Sequence, residues 1–217
     1  MSFIDKMVEE YLDQLMPVDD PLLQQIQQEG LRDEVPIIQV PSLKLLEILL
    51  NILNPKEIIE LGTAIGFSAI WLAKALPNSV VHTVERKAVM AERARENILK
   101  AGLSGRIILH QGEAVSILPT LPKTKFIFID AAKGKYQEFF DLAFPLLEPG
   151  GVIVFDNVLF RGYIADEELA MSKPMLRKIR CFNDFIANNG EIKTSFIPIG
   201  DGMAICYKHG GLNDEGI

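Results

Sequence analysis

Two carboxylates, an amide and a lysine follow two apolar segments of the sequence, and together they could bind and use a metal ion. Asp130 and Lys133 stand at and just beyond the end of one segment, and Asp156 and Asn157 stand at the end of the next. Carboxylate and amide oxygens are donors that Mg²⁺ takes, with water and substrate filling the remaining positions. Lys133 is close enough in sequence to Asp130 to act as a general base in the same space.

Each of these residues also has an ordinary structural explanation. An Asp-Asn pair after a strand is often an Asx-turn or a helix N-cap, and an isolated lysine in a loop is usually solvated. For any one of the residues, the structural explanation is favoured. Four of them together at the ligand end of one sheet favour a catalytic site.

A glycine-containing turn and two acidic residues predict a second site, for a nucleoside. The turn from Gly62 to Gly66 would let a ligand approach the backbone, and Ser68 could bond to it where the next helix begins. Glu85, at the end of the following strand, suits a grip on two ribose hydroxyls. The glycine spacing lacks the G-x-G-x-x-G pattern that holds a pyrophosphate, and Glu60 would repel a diphosphate but tolerate a cation. We therefore predict a nucleoside pocket without phosphate, although turn chemistry and a solvated strand end fit the same residues.

Strands that alternate with helices must position these residues. Apolar and β-branched runs without polar alternation are typical of parallel strands covered on both faces by helices. The predicted strands are Glu57–Glu60, Val80–Glu85, Arg106–Gln111, Lys125–Asp130 and Val152–Asp156, followed by a hairpin of Thr194–Ile199 and Met203–Lys208. The predicted helices that follow the five parallel strands are Phe67–Leu76, Lys87–Ala101, Ala114–Leu118, Lys135–Leu147 and Met175–Asn188. The predicted fold is a doubly wound α/β sheet of seven strands, mostly parallel, with an antiparallel C-terminal hairpin.

Three helices are predicted before the first strand. An apolar stripe with four-residue spacing covers residues 3–16 and indicates the first helix. Asp20 then caps a second helix, Gly30 closes it, and a third covers residues 41–53.

The composition is that of one globular domain. Apolar residues make up 48% of the chain and charged residues 24%, which is ordinary for a soluble protein. No linker, repeat or low-complexity tract interrupts the sequence. We expect a single domain over residues 1–217, with a helical cap at 1–54, an α/β core at 55–209 and a tail at 210–217.

Charge, hydropathy and cysteine content exclude several classes of protein. Twenty-two basic residues against twenty-nine acidic ones leave a net charge of −7, so the chain is a poor non-specific nucleic-acid binder, although a local basic patch could serve a specific one. No apolar run is long enough to span a bilayer, and residues 1–10 do not read as a secretory signal. Cys181 and Cys206 lie in apolar segments, which predicts two buried, reduced thiols and a cytoplasmic location.

Several motifs together resemble those of one enzyme family. IELGTAIGFS at Ile59–Ser68, FIDAAKGKY at Phe128–Tyr136, EPGG at Glu148–Gly151 and FDNVLFRG at Phe155–Gly162 resemble the cation-dependent O-methyltransferases of the catechol and caffeoyl-CoA type. The resemblance covers nearly the whole chain. Within that family, GTAIG, IDAAKG-x-Y and DNVLF-[RK]-G resemble the bacterial branch that methylates 5-hydroxyuridine in tRNA.

The resemblance implies S-adenosylmethionine as cofactor and Mg²⁺, or Mn²⁺ or Ca²⁺, as metal. It implies that Asp130, Asp156 and Asn157 are the metal ligands, that Lys133 is the catalytic base, and that Asp130 also lies beside the cofactor. The cofactor-binding residues that it implies are Glu60, Gly62, Thr63 and Ser68 near the methionine end, Glu85 at the ribose, Gly112, Glu113 and Ala114 near the adenine, and Val35 as a cover.

The implied substrate presents two adjacent oxygens to the metal. Catechols do so, and so does 5-hydroxyuridine through its hydroxyl and its neighbouring carbonyl, so the site residues do not choose between a small phenol and tRNA. The branch resemblance favours tRNA, with 5-methoxyuridine as product. A basic set could meet tRNA phosphates, although it also fits a solvated helix face; its members are Arg161, Lys173, Arg177, Lys178 and Arg180.

Other interpretations of the chain stay open at this stage. A nicotinamide-dependent dehydrogenase shares the strand–turn–helix but has no need of the acidic cluster, and a non-catalytic nucleoside-binding module would bind the cofactor without methyl transfer. Relatives in the family are often dimers, so we expect a homodimer. Asp201 is a loose match to the acid that holds the substrate in the catechol enzymes. His82, His110 and His209 are expected to be structural or exposed.

Overall fold

A computed structural model describes residues 6–210 of the chain. Its helices are α1 (Lys6–Leu15), α2 (Pro21–Arg32), α3 (Val40–Leu53), α4 (Phe67–Ala75), α5 (Ala88–Lys100), α6 (Ala114–Ile117), α7 (Tyr136–Ala143), α8 (Glu167–Ser172) and α9 (Pro174–Asn188). Its strands are β1 (Glu57–Leu61), β2 (Val80–Glu85), β3 (Ile107–Gln111), β4 (Thr124–Ile129), β5 (Leu147–Phe155), β6 (Ile192–Ile197) and β7 (Met203–Lys208).

The seven strands form one sheet in the order β3-β2-β1-β4-β5-β7-β6. Strands β1 to β5 pair in parallel, whereas β7 lies antiparallel to both β5 and β6. The predicted fold class is therefore confirmed. In this order β2 and β3 lie on one side of β1 and β4 lies on the other, so the direction in which successive strands are added to the sheet reverses between β1 and β4. That reversal opens the crevice in which ligands of such sheets bind.

Apolar side chains cover the sheet on both faces. On one face, β1, β2 and β4 pack with α2 to α5. On the other face, alternate residues of the same strands pack with α7 and α9, and the rings of Tyr136, Phe155 and Phe182 meet there at centroid distances of 4.7 to 5.5 Å. Burial on both faces explains why β1 and β4 are continuous apolar runs rather than alternating ones.

The N-terminal helices differ from the prediction at Gly30. Asp20 caps α2 as predicted, because its carboxylate accepts hydrogen bonds from the amides of Leu22 and Leu23, both at 3.0 Å. Gly30 does not end the helix, however, since α2 continues to Arg32. A Cβ at Gly30 would lie 3.1 Å from the Ile37 side chain, so this glycine serves close packing rather than termination. Residues 3–5 of the predicted first helix lie outside the described residues.

Several boundaries in the second half also differ from the prediction. The helix predicted to reach Leu147 ends at Ala143, and β5 begins at Leu147 rather than Val152. Helix α8 was not predicted. It packs on α9 through a small apolar cluster that contains Ile164 and Leu176. Short-range periodicity is a weak guide in such segments, where turns and single-turn helices alternate.

The cysteines are only partly as expected. Cys206 on β7 is buried, and burial raises the pKa of its thiol to about 12. Cys181 is exposed, so the expectation of two buried thiols is wrong for that residue. The buried residues of α9 follow a stripe of three- and four-residue spacing that passes through Ile179 and Phe182 and leaves Cys181 outside it.

The histidines have structural partners. His82 Nδ1 lies 3.2 Å from His110 Nε2, and His82 Nε2 lies 3.0 Å from a carboxylate oxygen of Glu57, so the two rings link β1, β2 and β3. His209 packs edge-on against the Tyr207 ring. None of the described helices is long and apolar enough to cross a bilayer.

Candidate active site

A cavity of about 350 Å³ lies at the carboxyl ends of the central strands. Most of the predicted site residues line it, namely Val35, Gly62, Glu85, Gly112, Glu113, Ala114, Asp130, Lys133, Asp156 and Asn157. Its volume is in the usual range for small-molecule sites. Residues from five separate strand ends and the loop before α3 therefore meet in one space.

The acidic residues meet because their strands are neighbours. Ile129 of β4 pairs with Phe155 of β5, so Asp130 and Asp156 leave the sheet side by side. Lys133 Nζ forms an ion pair with Asp130 Oδ1. Asp156 Oδ1 accepts a hydrogen bond of 2.8 Å from the backbone amide of Asn157.

The electrostatics of this corner favour a cation. The pKa of Asp156 is raised to about 7, chiefly by burial and also by the charges of Asp130 and Asp201, while Lys133 opposes the rise. A cation beside the two carboxylates would relieve their repulsion. The described residues contain no group of three His, Cys, Asp or Glu side chains arranged to hold a metal ion. A metal here would therefore have two carboxylates and the Asn157 amide as protein ligands, with water or substrate completing the shell, as Mg²⁺ accepts.

The turn after β1 has a backbone that only particular residues tolerate. Gly62 has φ of 106°, and a Cβ there would overlap the carbonyl oxygen of Asp130. Gly66, with φ of 88°, stands at the start of α4, and Ala64 between them also lies in the left-handed region, with φ of 47°. Because residue 62 is a glycine, the turn after β1 can pack directly against the backbone of Asp130.

Three predicted cofactor residues lie beneath the cavity rather than along its wall. Glu60, Thr63 and Ser68 are buried and do not line it. The Thr63 hydroxyl lies 2.6 Å from that of Thr83, and Thr83 donates to Glu60 Oε2. Glu60 lies in β1, Thr63 lies in the turn and Ser68 lies in α4, and sequence spacing could not show that their side chains are buried.

Glu60 is a buried acid with an unsatisfied oxygen and a raised pKa. Its Oε1 has no hydrogen-bond partner among the described residues. The pKa of Glu60 is raised to about 7, chiefly by burial and also by the charges of Asp130 and Glu85, while the hydroxyls of Ser68 and Thr83 oppose the rise. A positively charged ligand in the cavity above would stabilise the ionised form of this carboxyl.

Glu85 is held in place by the backbone around it. Its Oε2 accepts a hydrogen bond of 3.0 Å from the Ala64 amide, and its Oε1 accepts one of 2.8 Å from the Lys87 amide. A carboxylate oxygen can accept more than one hydrogen bond, so each keeps capacity for a ligand hydroxyl. The geometry therefore suits the predicted grip on a ribose.

Apolar side chains that sequence reasoning missed complete the walls. Ile37, Ile38 and Met90 line the cavity near Val35, and Phe139 lines it near Lys133. Met90 lies on α5 and Phe139 on α7, two helices that were predicted without any role in the site. A stripe indicates a buried face but does not distinguish burial against the sheet from burial against a ligand.

Asp201 does not line the cavity. Its Oδ1 accepts a hydrogen bond from the backbone amide of Arg161, so the loose match to a substrate-holding acid has a structural explanation in this chain. Of the predicted basic set, Arg180 donates to the Ile164 carbonyl at 2.9 Å and lies 3.8 Å from Glu167. The other four are exposed and form no ion pair with any described acidic residue; they are Arg161, Lys173, Arg177 and Lys178.

Comparison with known proteins identifies the family. The family model for O-methyltransferases matches residues 14–209. The chain belongs to the O-methyltransferase family. A catechol O-methyltransferase from Niastella koreensis is 35% identical over 211 residues, which cover 91% of this chain and 95% of the relative. The predicted family and the enzyme class are thus confirmed, which leaves the dehydrogenase alternative without support.

Two solved O-methyltransferases share the fold along almost their whole length. TomG from Streptomyces achromogenes, solved in complex with SAM, is 29% identical with a TM-score of 0.84, covering 94% of this chain and 96% of its own. The O-methyltransferase from Bacillus cereus, solved in complex with SAH, is also 29% identical with a TM-score of 0.84, covering 93% and 97%.

Proposed function

We propose that this O-methyltransferase transfers a methyl group from S-adenosylmethionine, with the help of a divalent metal, to a hydroxyl that has a second oxygen beside it. The preferred substrate is 5-hydroxyuridine in the anticodon of tRNA. The observation that carries the proposal is that one cavity is lined by the cluster of Asp130, Lys133 and Asp156 and also by Glu85. A methyl donor and a metal-bound acceptor could therefore stand next to each other.

The cofactor fits the end of the cavity that is lined by Glu85 and by Gly112 to Ala114, which we call the donor end. The unpartnered oxygen of buried Glu60 and the raised pKa of that carboxyl suit a ligand with positive charge, which S-adenosylmethionine carries on its sulfonium and its ammonium. Glu85 would take the ribose, and Gly112 to Ala114 would border the adenine. Two relatives whose structures hold SAM or SAH support this assignment.

The metal fits the end of the cavity that is lined by Asp130, Asp156 and Asn157, which we call the acceptor end. Asp130, Asp156 and Asn157 supply oxygen donors on neighbouring strands. A bound divalent ion would orient two adjacent substrate oxygens and make the hydroxyl more acidic. Lys133 Nζ lies against Asp130 and so beside the acceptor end. A divalent ion on the same carboxylate would favour loss of the proton from its ammonium to solvent, and the neutral amine would then take the proton of that hydroxyl as the hydroxyl becomes the nucleophile. The apolar walls around Phe139 and Ile37 would exclude bulk water from the methyl group.

The unpaired cations support tRNA as the substrate. Arg161, Lys173, Arg177 and Lys178 have no acidic partner among the described residues, in a chain whose net charge is −7. Lys178 also lies close to the active-site loop, since a Cβ at Gly134 would be 3.7 Å from its Cδ. Phosphates bound by such side chains would hold an RNA loop while one base enters the cavity.

Mass spectrometry of tRNA nucleosides from cells with and without the protein tests this proposal. We expect 5-methoxyuridine to disappear and 5-hydroxyuridine to accumulate when the protein is removed. With purified components, Lys178→Ala should weaken tRNA binding and reduce its salt slope by roughly one, whereas Lys193→Ala on the strand β6 should not. Binding to tRNA without salt dependence, or turnover of free catechols alone, would contradict the proposal.

A catechol-like phenol is the second candidate substrate. The relative from Niastella koreensis is a catechol O-methyltransferase and aligns over most of both chains. The same acidic cluster would bind two phenolic oxygens. Comparing kcat/KM for a catechol with that for an RNA hairpin containing 5-hydroxyuridine separates the two substrates, and a preference for the catechol by a factor of ten or more would favour this candidate.

We also propose that the protein is a homodimer that uses its N-terminal helices. Tyr11 and Leu15 on α1 are exposed, and α3, which contacts α1, exposes Ile48 and Ile52. A second copy would bury these apolar side chains. Light scattering coupled to size-exclusion chromatography should give twice the chain mass, and Ile52→Glu should shift the protein towards a monomer. A monomer at micromolar concentration would contradict the dimer.

A further inference from the structure

The loop that carries two of the proposed metal ligands has an unfavourable backbone. Residues 156–166 connect β5 to α8, and this β5–α8 loop places Asn157, Phe160 and Arg161 in the left-handed region, with φ of 58°, 43° and 57°. Residues other than glycine adopt that conformation rarely, and it persists only where the surrounding structure imposes it. Half of the described non-glycine residues with positive φ lie in this one loop.

Three distant parts of the chain form hydrogen bonds with this loop. Tyr136, the first residue of α7, donates its hydroxyl hydrogen to the backbone carbonyl of Asp156. Asn183 of α9 donates from Nδ2 to the carbonyl of Val158 at 2.8 Å. The donors are buried, and the residues that they hold stand directly beside or within the proposed ligand pair Asp156 and Asn157.

The third contact comes from the turn between β6 and β7. The amide of Val158 donates to the Gly202 carbonyl at 3.0 Å, and the amide of Leu159 donates to the Asp201 carbonyl at 3.1 Å. Asp201 Oδ1 also accepts from the amide of Arg161, which lies in the left-handed region. A Cβ at Gly202 would overlap the Leu159 side chain, so loop and turn are in direct contact.

We infer that Tyr136, Asn183 and Asp201 are positioning residues that hold the β5–α8 loop in the one backbone conformation in which Asp156 and Asn157 face Asp130. This inference rests on the proposed metal site. Asp201 then acts through a hydrogen bond to backbone rather than by holding the substrate.

Binding of Mn²⁺, measured by calorimetry or by electron paramagnetic resonance without substrate, tests the inference. Groups that orient metal ligands typically change metal affinity by 10- to 100-fold when they are removed. We expect Tyr136→Phe, Asn183→Leu and Asp201→Ala each to weaken Mn²⁺ binding by roughly tenfold or more. The Kd for S-adenosylmethionine should change less than about threefold, because Glu85 is held by the amides of Ala64 and Lys87, which lie outside this loop. Tyr207→Phe, which alters an exposed tyrosine on β7, is the matched control.

Asp201→Asn separates the hydrogen bond from the charge. An asparagine oxygen can still accept from the Arg161 amide, so we expect this variant to keep most of the Mn²⁺ affinity that Asp201→Ala loses. Equal losses in the two variants would mean that the charge matters instead, and would overturn the positioning role. So would a higher KM for substrate in Asp201→Ala with unchanged Mn²⁺ affinity, since that result assigns Asp201 to the substrate.

The failure of this inference differs from the failure of the proposed function. If the unmodified protein binds Mn²⁺ and all three variants bind it equally well, the positioning role is wrong and the proposed reaction stands. If the unmodified protein binds no divalent metal at millimolar concentration, the metal-dependent reaction is wrong and the positioning role falls with it. Thermal unfolding of each variant shows whether a loss of affinity reflects a loss of fold.

Discussion

The proposed donor end and the proposed acceptor end of the cavity are built in different ways. At the donor end, Glu85 is held by backbone amides of Ala64 and Lys87, which belong to its own turn and the neighbouring one. At the acceptor end, the loop with Asp156 is held by groups from α7, α9 and the β6–β7 turn, of which Asp201 is one. The first construction is short-range along adjacent strands, and the second depends on contacts across the whole second half of the chain.

This difference indicates where each end is vulnerable. A donor end made from a turn and a strand end should be sensitive to changes within those two segments. An acceptor end that depends on distant hydrogen bonds should be sensitive to substitutions far along the sequence. The following predictions test that contrast, from the largest expected effect to the smallest.

Asp156→Ala should have the largest effect on catalysis. Removing a ligand of the proposed metal should lower the metal-dependent rate by on the order of 10³-fold, since a metal ion supplies several kcal/mol of transition-state stabilisation. The Kd for S-adenosylmethionine should stay within a few-fold of the original. Asp184→Ala, at an exposed position on α9, is the control and should leave both quantities unchanged. An unaltered rate in Asp156→Ala would remove the acceptor site.

Gly62→Ala should damage both ends at once. The added Cβ would overlap the Asp130 carbonyl oxygen and would require φ of 106°, so we expect a loss of about 3 kcal/mol in the free energy of unfolding. Chemical denaturation measures it. Gly105→Ala, where a Cβ meets nothing within 4 Å, is the control. If Gly62→Ala weakened cofactor binding alone, with stability and Mn²⁺ affinity intact, the two ends would be more independent than their contact suggests.

Glu85→Ala should affect the donor end alone. Loss of a charged acceptor for two ribose hydroxyls should raise the Kd for S-adenosylmethionine by roughly 10- to 100-fold, corresponding to about 1.5 to 3 kcal/mol. Mn²⁺ affinity should not change. Calorimetric titration with cofactor and then with metal checks both expectations, and Glu113→Ala, at the adenine side of the cavity, shows how specific the effect is. Equal losses of the two affinities would contradict the division of the cavity into two ends.

Cofactor binding should release a proton from Glu60. The pKa of this carboxyl is about 7 in the folded protein, so it is mostly protonated below pH 7, and a cationic ligand would lower that pKa. Affinity for S-adenosylmethionine should therefore rise as the pH increases from about 5 to above 7. Calorimetry in buffers of different ionisation enthalpy measures the released proton near pH 6.5. Glu60→Gln should abolish that release, and a release that persists in this variant would assign it elsewhere.

The same carboxyl should make folding stability depend on pH. Because its pKa is higher in the folded than in the unfolded chain, the folded state binds the proton more tightly. Its contribution to stability is then fully present below about pH 4.5 and is lost as the pH rises to about 7. Comparing the unfolding free energies of the original protein and Glu60→Gln at pH 5 and pH 8 isolates this effect from other titrations.

Much of the fold could be predicted from the chain alone. The continuous apolar runs of β1, β4 and β5 indicated buried parallel strands, and Val80–Glu85 and Met203–Lys208 were predicted with the bounds that the structure shows. The acidic residues after β4 and β5 were expected to meet, and they do, since those strands are neighbours in the sheet. Periodicity along one strand is a local property, and the edge at which parallel strands end follows from their direction.

What needed the tertiary structure was the direction and the partner of individual side chains. Spacing predicted Glu60, Thr63 and Ser68 as cofactor residues around the turn after β1, but only packing shows that they are buried and do not line the cavity. Gly30 looked like a helix end, yet it serves contact with Ile37, which depends on how the loop between α2 and α3 packs back on α2.

The chemistry of this protein was thus determined by which residues the chain carries at the ends of its strands, because residue type decides what can bind a cation or take a proton. The tertiary structure alone decided how that chemistry is held in place. Asp201 and Arg161 stand forty positions apart and meet only because β7 folds back against β5, and no local pattern of residues records a hydrogen bond over that distance.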